Sequence, residues 1–273
     1  MFADDTKLSR RIQDMSSCEA LQADLDKVQE WSKTWLLKFH PVKCKVLSIG
    51  KSRNDIVRHY KMEGDHGDVQ LDNVEFEKDI GVTIDNKLSF EQHISEKVNS
   101  ANSLMGVIRR TYEHLDEENF CLLFKAFVRP HIEYANSVWA PYKIKHIETI
   151  ENVQRRATKQ IPSLRHLSYE ERLRKLNLPS LVYRRLRGDM IELYKIMSGV
   201  YDTSVSTFLT EQVNSITRGH SKKLFLQFAR LNVRKNWFGK RNVIIWNNLP
   251  ELVVNSPSVK VFEKRLDCQT LER

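Results

Sequence analysis

Two adjacent carboxylates, Asp4 and Asp5, sit in the opening run Met1-Phe2-Ala3-Asp4-Asp5-Thr6-Lys7-Leu8. Neighbouring acids on a tight turn face the same groove, and carboxylate oxygens are good ligands for hard divalent cations such as Mg²⁺. Two such cations about 3.5–4 Å apart support phosphoryl transfer, because together they neutralise the attacking and leaving oxygens. That chemistry needs more oxygen ligands than one turn supplies. No later acid stands out as the partner; Asp85, Glu91 and Glu96 read as surface acids.

Clustered cations form the second candidate site. Arg109-Arg110, Arg155-Arg156 with Lys159, Arg172 with Arg174-Lys175, and Arg184-Arg185 with Arg187 all fall in segments of helical periodicity. Arg155 and Lys159 share a face at i,i+4, opposite an Ile/Val/Ala stripe. A helix with one apolar and one basic face suits the phosphates of a nucleic-acid duplex. Lys222-Lys223, Arg234-Lys235 and Lys240-Arg241 extend the pattern, with Phe228, Trp237 and Phe238 as candidate stacking groups. The chain carries 44 Lys+Arg against 35 Asp+Glu, a net charge of +9, which favours a polyanionic partner, RNA or an RNA–DNA duplex first among them.

Other chemistries lack their signatures. The four cysteines (Cys18, Cys44, Cys121, Cys268) form no Cys-x-x-Cys pair, and no histidine lies at zinc-finger spacing. A Gly-rich phosphate loop, a Gly-x-Ser-x-Gly elbow and a His-Glu-x-x-His motif are all missing from the sequence. No apolar run approaches the ~20 residues that span a bilayer, so no membrane role is expected. Acids stand where a secretory leader would be basic and then apolar. An intracellular protein, nuclear or cytoplasmic, is the expectation.

The elements that must position these groups change character along the chain. Thr6 to Ile12 reads as a strand leaving the Asp-Asp turn. Ser16 with Glu19 fits a capping box that opens a helix carrying Leu21, Leu25, Val28, Trp31 and Trp35 inward and ending near Lys38, before Pro41. Lys45–Gly50, Ile56–Met62, Val69–Leu71, Val74–Phe76 and Asp79–Ile84 read as strands, with a turn at Gly64-Asp65-His66-Gly67. From Phe90 the period becomes helical. Ile94, Val98, Ala101, Met105 and Ile108 mark one helix, and Asp116 caps a second that Pro130 should break. His131–Trp139, Ile147–Ile161, Tyr169–Leu176 and Leu181–Met197 read as further helices. Leu224–Phe228 is a candidate strand, Asn236–Asn247 a candidate helix, and Ser256-Pro257-Ser258 opens a last helix with Val259, Phe262 and Leu266 inward.

The order of these segments resembles the reverse transcriptases of non-LTR retrotransposons, of the jockey-like and related groups. Phe2-Ala3-Asp4-Asp5 is similar to their metal-binding hairpin. It is followed by Trp31-Ser32-Lys33-Thr34-Trp35, Lys38 to Lys45, and Glu77-Lys78-Asp79-Ile80-Gly81-Val82. Phe127 to Ala135, Ile150 to Lys159, Arg184 to Asp189, Thr217-Arg218-Gly219-His220 and Trp246-Asn247-Asn248-Leu249-Pro250 are similar to their thumb and post-thumb regions.

The resemblance implies an RNA-directed DNA polymerase with Mg²⁺ as the cofactor of the intact enzyme. Asp4 and Asp5 would be its catalytic, metal-binding acids, and Lys43 a proton donor to the leaving pyrophosphate. Ile80, Gly81 and Val82 would form the turn that grips the primer end. Arg109, Arg110, Arg155, Arg156, Lys159, Arg184, Arg185 and Arg187 would contact the template–primer. The implied fold is α+β: a truncated palm remnant over 1–88, a mainly helical thumb and connector over 89–200, and a small basic C-terminal region over 201–273. The family's other metal-binding Asp and its fingers fall before this stretch. The expectation is therefore a catalytically incomplete chain that retains duplex binding and self-associates through an exposed palm edge. The alternatives are a non-enzymatic interaction module and a decayed element fragment.

Overall fold

In the computed structural model, residues 5–50, 59–64, 67–112, 114–202, 209–212 and 219–269 are described. The architecture mixes helix and strand, and the chain divides into two compact units, 1–89 and 90–273.

The first unit packs one helix on short strands. Helix α1 (Met15–Thr34) is opened by Asp14, whose carboxylate accepts from the Ser17 backbone N–H at 2.8 Å. The cap thus lies two residues before Ser16, because a carboxylate satisfies the orphan N–H groups of the first turn. The helix stops at Thr34, short of Lys38, and Leu36 turns the chain at φ +56°. Strands β1 (Lys45–Leu47), β2 (Lys61–Gly64), β3 (Gly67–Gln70), β4 (Asp72–Val74), β5 (Phe76–Asp79) and β6 (Val82–Asp85) make three two-stranded sheets. β1 pairs with β4 in parallel, while β2–β3 and β5–β6 are antiparallel. Leu21 and Leu25 of α1 pack on Tyr60, Met62 and Leu71. The Gln22 amide both donates to the Lys61 carbonyl (2.9 Å) and accepts from its N–H (3.1 Å), locking α1 along β2.

Further expectations for this unit fail, among them the strand over Val74–Phe76, which is divided between β4 and β5. Residues 6–12 are not a strand. The run Asp79–Ile84 is two strands joined by a two-residue turn, because Ile80 (φ +43°) and Gly81 (φ +77°) both take left-handed backbone. Their twist matches that of the flanking strands, which is why hairpins use such turns. Trp31 and Trp35 are not core residues. Trp35 is exposed, as are Leu36, Leu37 and Val42, so the apolar stripe of α1 is buried only along its first half.

The second unit is built from helices. They are α2 (Glu91–Thr111), α3 (Glu117–Leu123), α4 (Arg129–Glu133), α5 (Asn136–Trp139), α6 (Ile144–Thr158), α7 (Tyr169–Lys175), α8 (Leu181–Met197), α9 (Asn232–Lys235), α10 (Phe238–Arg241), α11 (Val243–Asn247), α12 (Glu251–Val254) and α13 (Val259–Asp267). Ile94, Val98, Ala101, Met105 and Ile108 of α2 are all buried, as their spacing predicts. Asp116 caps α3 through a 2.7 Å bond from the Asn119 N–H. Pro130 does not break the helix. A π turn over Phe124–Val128 precedes it, with the Arg129 N–H bonded to the Phe124 carbonyl. The wider turn offers a register that tolerates the missing proline N–H. Leu224–Phe228 is not a strand; Leu224 makes one bridge, to Glu211. The helix expected over 236–247 is two short helices, α10 and α11.

Helix α8 is the mast of this unit. Its apolar side (Leu186, Met190, Leu193, Tyr194) shares one core with Trp246, Phe262 and Leu266. Tyr194 stacks on Phe262 with ring centroids 4.2 Å apart and donates its hydroxyl to the Ser256 carbonyl at 2.5 Å. Its polar side is bound too. Asp189, with no exposed surface, accepts two bonds from the Arg241 guanidinium at 2.8 and 3.0 Å. Arg241 also donates to the carbonyls of Asn236 (3.1 Å) and Ser137 (2.9 Å).

Removing one member of a buried ion pair strands the other charge, at a cost of about 3–5 kcal/mol. Arg241→Met is therefore expected to lower the stability of the second unit by that order in urea denaturation. The double change Asp189→Leu/Arg241→Met should recover most of the loss. Equal destabilisation by the single and double variants would contradict the pairing.

Candidate nucleic-acid interface

The acid pair is only half described: Asp4 lies outside the described residues, and Asp5 is exposed. Two residues on, Lys7 pairs with Asp79, the residue that precedes Ile80-Gly81. Lys7 and the β5–β6 turn are thus neighbours within the first unit. Lys43 ends a 3₁₀ turn (Pro41–Lys43) and is exposed. Among the described residues no group of three His, Cys, Asp or Glu side chains is placed to hold a metal ion.

At the β5–β6 turn, Ile80 is half exposed at the tip and Val82 is buried below it. A β-branched residue in the left-handed region is a costly choice for a surface turn. Gly81 takes the same region without penalty.

The helical cations divide into two groups. Arg109 and Arg110 lie in the last turn of α2 and are exposed, as are Arg155 and Arg156 in the last turn of α6 and Lys159 at its C-cap. Arg155 lies 5.0 Å over the Tyr169 ring and bonds the Asn152 side chain at 2.9 Å, which fixes the base of its guanidinium while leaving it at the surface. The Arg184-Arg185-Arg187 group is different. Arg184 forms a two-pronged pair with Glu133, and Arg187 another with Asp267 at 2.6 and 3.1 Å. Arg185 is buried. Arg184 and Arg187 thus tie α8 to α4 and α13. Arg172 is likewise buried, donating to Thr158 Oγ1 (3.1 Å), the Leu167 carbonyl (2.6 Å) and the Arg155 carbonyl (3.2 Å).

Polar joints account for much of the chemistry in the Ile150 to Lys159 run. Glu151 accepts from the Leu181 and Val182 N–H groups at 3.2 and 3.0 Å, so it caps the N-terminus of α8 from another helix. Tyr169 also donates to Glu151, and Gln154 donates to the Tyr169 hydroxyl (3.1 Å) and the Pro179 carbonyl (3.0 Å). Burial and the Glu151 carboxylate push the Tyr169 phenol well above its ordinary range, which keeps it a donor. Spacing alone does not reveal these roles, because a buried Glu and an exposed one look alike in sequence.

The C-terminal segment is pinned in the same way. His220 shares a 2.8 Å bond with the Trp246 carbonyl, and the Trp246 indole N–H donates to the Lys222 carbonyl at 2.8 Å. The Asn247 side chain exchanges two bonds with the Leu224 backbone, at 2.8 and 2.9 Å. Gly219 (φ +128°) lies under the Lys223 side chain, whose Cε would sit 2.6 Å from any Cβ there. Thr217 and Arg218 lie outside the described residues. Phe238 is buried, whereas Phe228 and Trp237 reach the surface, with Arg234 4.8 Å over the Trp237 ring.

No family model matches the chain, and no solved structure matches it. An uncharacterized protein of Caenorhabditis elegans is 25% identical over 126 residues, covering 45% of this chain and 64% of that protein. The chain thus spans less than two thirds of that relative's length. No helix among the described residues is long and apolar enough to cross a membrane.

The strain at Ile80 is testable. Ile80→Asn, which tolerates left-handed backbone, is expected to raise the stability of the first unit by about 1 kcal/mol. Thermal unfolding checks it, and a loss of stability would show that the exposed isoleucine is packed rather than strained.

Proposed function

We propose that this chain corresponds to the palm-to-thumb region of a non-LTR retrotransposon reverse transcriptase and binds template–primer duplex through its helical unit. The observation that carries the reading is the exposed basic end of α6, with Arg155 and Arg156 on the solvent side and Lys159 at its C-cap, on a helix whose other face is core. Arg109 and Arg110 supply like charge at the end of α2. Support also comes from the motif order Asp4-Asp5, Ile80-Gly81, Ile150 to Lys159 and Trp246 to Pro250. Nucleotide addition would need carboxylates beyond Asp4 and Asp5, and losing one part of a cooperative site removes most of the rate. The 273 residues by themselves are therefore assigned binding without synthesis.

A second reading, a protein-interaction module, draws on the exposed Trp35, Leu36, Leu37 and Val42 at the end of α1. Light scattering separates the two: a stable oligomer indifferent to nucleic acid would favour it.

Fluorescence anisotropy with a labelled RNA–DNA duplex tests the first reading. Affinity should fall steeply with salt, since each phosphate neutralised contributes a slope of about −0.9 in log K against log salt. Replacing Arg155, Arg156 and Lys159 by Ala should reduce that slope by about 2–3. A flat salt response would contradict the reading. Primer extension by the chain alone should give no product; incorporation lost on Asp4→Ala would overturn the assignment of binding without synthesis.

A further inference from the structure

Charge is distributed unevenly along the sequence. Between Glu211 and Glu251 there are eight Lys or Arg residues and no Asp or Glu, so this one stretch carries nearly all of the net charge of +9. Lys223 is buried and Arg241 is committed to Asp189, while Arg230, Arg234 and Lys235 are exposed and Lys240 half-buried. Within the same stretch Phe225 and Phe228 are exposed, Phe228 to 86%. Phe225, Phe228, Arg234, Trp237 and Lys240 line one shallow cleft.

The cleft has a fixed floor. Phe225 is anchored by its N–H to the Thr210 carbonyl at 2.8 Å, directly after the two bonds that Asn247 makes to Leu224. Residues 225–230 then run without helix or strand, with Ala229 buried and the side chains of Phe225, Leu226, Gln227, Phe228 and Arg230 exposed. Two open rings and a third under a guanidinium, interleaved with cations, offer π-faces and phosphate partners together. A duplex hides the faces of its bases; an unpaired strand does not. Base–aromatic stacking needs those faces, and tolerates any sequence because every base has one. Membrane-surface segments are characteristically amphipathic helices, unlike this one.

We infer that the cleft of Phe225, Phe228 and Trp237 is a stacking site for unpaired nucleic acid, separate from the duplex-binding face of α6. The inference rests on the proposed reading of the chain as a nucleic-acid-binding protein and adds a single-strand site to it. The unpaired bases stack on Phe228 and Phe225, and their phosphates meet Arg230, Arg234 and Lys235.

The test uses the full chain with three probes: a labelled single-stranded uridine oligonucleotide, a blunt RNA–DNA duplex of equal length, and phosphatidylserine vesicles. Phe228→Ala is expected to weaken oligonucleotide binding about tenfold and to change duplex binding by less than about twofold. Phe228 is almost fully exposed, so its removal leaves the fold intact. Phe228→Leu, which keeps apolar bulk without a ring, should behave as the alanine variant, and Phe228→Trp should retain affinity. Oligonucleotide binding unchanged by Phe228→Ala overturns the inference, and loss confined to vesicles replaces it with a lipid surface. Binding to the duplex but not the oligonucleotide sinks this site and leaves the proposed function standing. Binding to neither sinks both.

Discussion

The helical unit depends on keeping α8 in place, and buried charge does that work as much as apolar contact. Asp189 has no exposed surface and no solvent to stabilise its charge; Arg241 answers it from α10 with a planar, two-pronged contact. Desolvating both groups is costly, so the pair adds little net stability compared with an apolar substitute. Its effect is on specificity. An alternative packing of α10 against α8 would leave a bare charge in the core. Around the same helix, buried Glu151 accepts from the backbone at its N-terminus, part-buried Glu133 pairs with Arg184, and Asp267 pairs with Arg187 nearer the surface.

This gives a physical meaning to several of the sequence runs singled out by their motifs. Glu133 in one run meets Arg184 in another, Glu151 caps the helix that carries Arg184 to Asp189, and His220 meets Trp246. The runs are joints between elements distant in sequence. Part of the basic signal is therefore structural: Arg172 and Arg241 are buried and hydrogen-bonded, and Arg184 and Arg187 are paired with carboxylates of the same unit. Cations that still face outward include Arg109 and Arg110 of α2, Arg155 and Arg156 of α6, Arg174 and Lys175 of α7, and Arg230, Arg234 and Lys235 of the acid-free stretch.

Much of the helical unit was legible from spacing. The stripes of α2, α8 and α13 are buried where a 3.6-residue period puts them, and Asp116 caps α3 as its position implies. The failures have local causes. Asp14 outcompeted Ser16 as a cap because a carboxylate was within reach of the same N–H groups. The π turn ahead of Pro130 is a backbone register choice that no side-chain pattern announces. Ile80 concealed a hairpin, since an isoleucine is the last residue that propensity places at a left-handed turn. Trp31 and Trp35 continue the periodicity of α1, but the strands beneath that helix are too short to cover them. Of the candidate site, the exposed cations could be proposed from sequence, while the division between free and committed arginines required the fold.

Ion pairs within the second unit tie α8 to its neighbours, and the proposed function sets the outward cations of α2 and α6 against nucleic acid. Amide hydrogen exchange of the whole chain, with and without an RNA–DNA duplex, tests it most directly. The account predicts added protection along the Arg155–Lys159 end of α6 and at the end of α2, with α8 slow to exchange in both states. Protection that appears only in α8, or nowhere in the second unit, would contradict it.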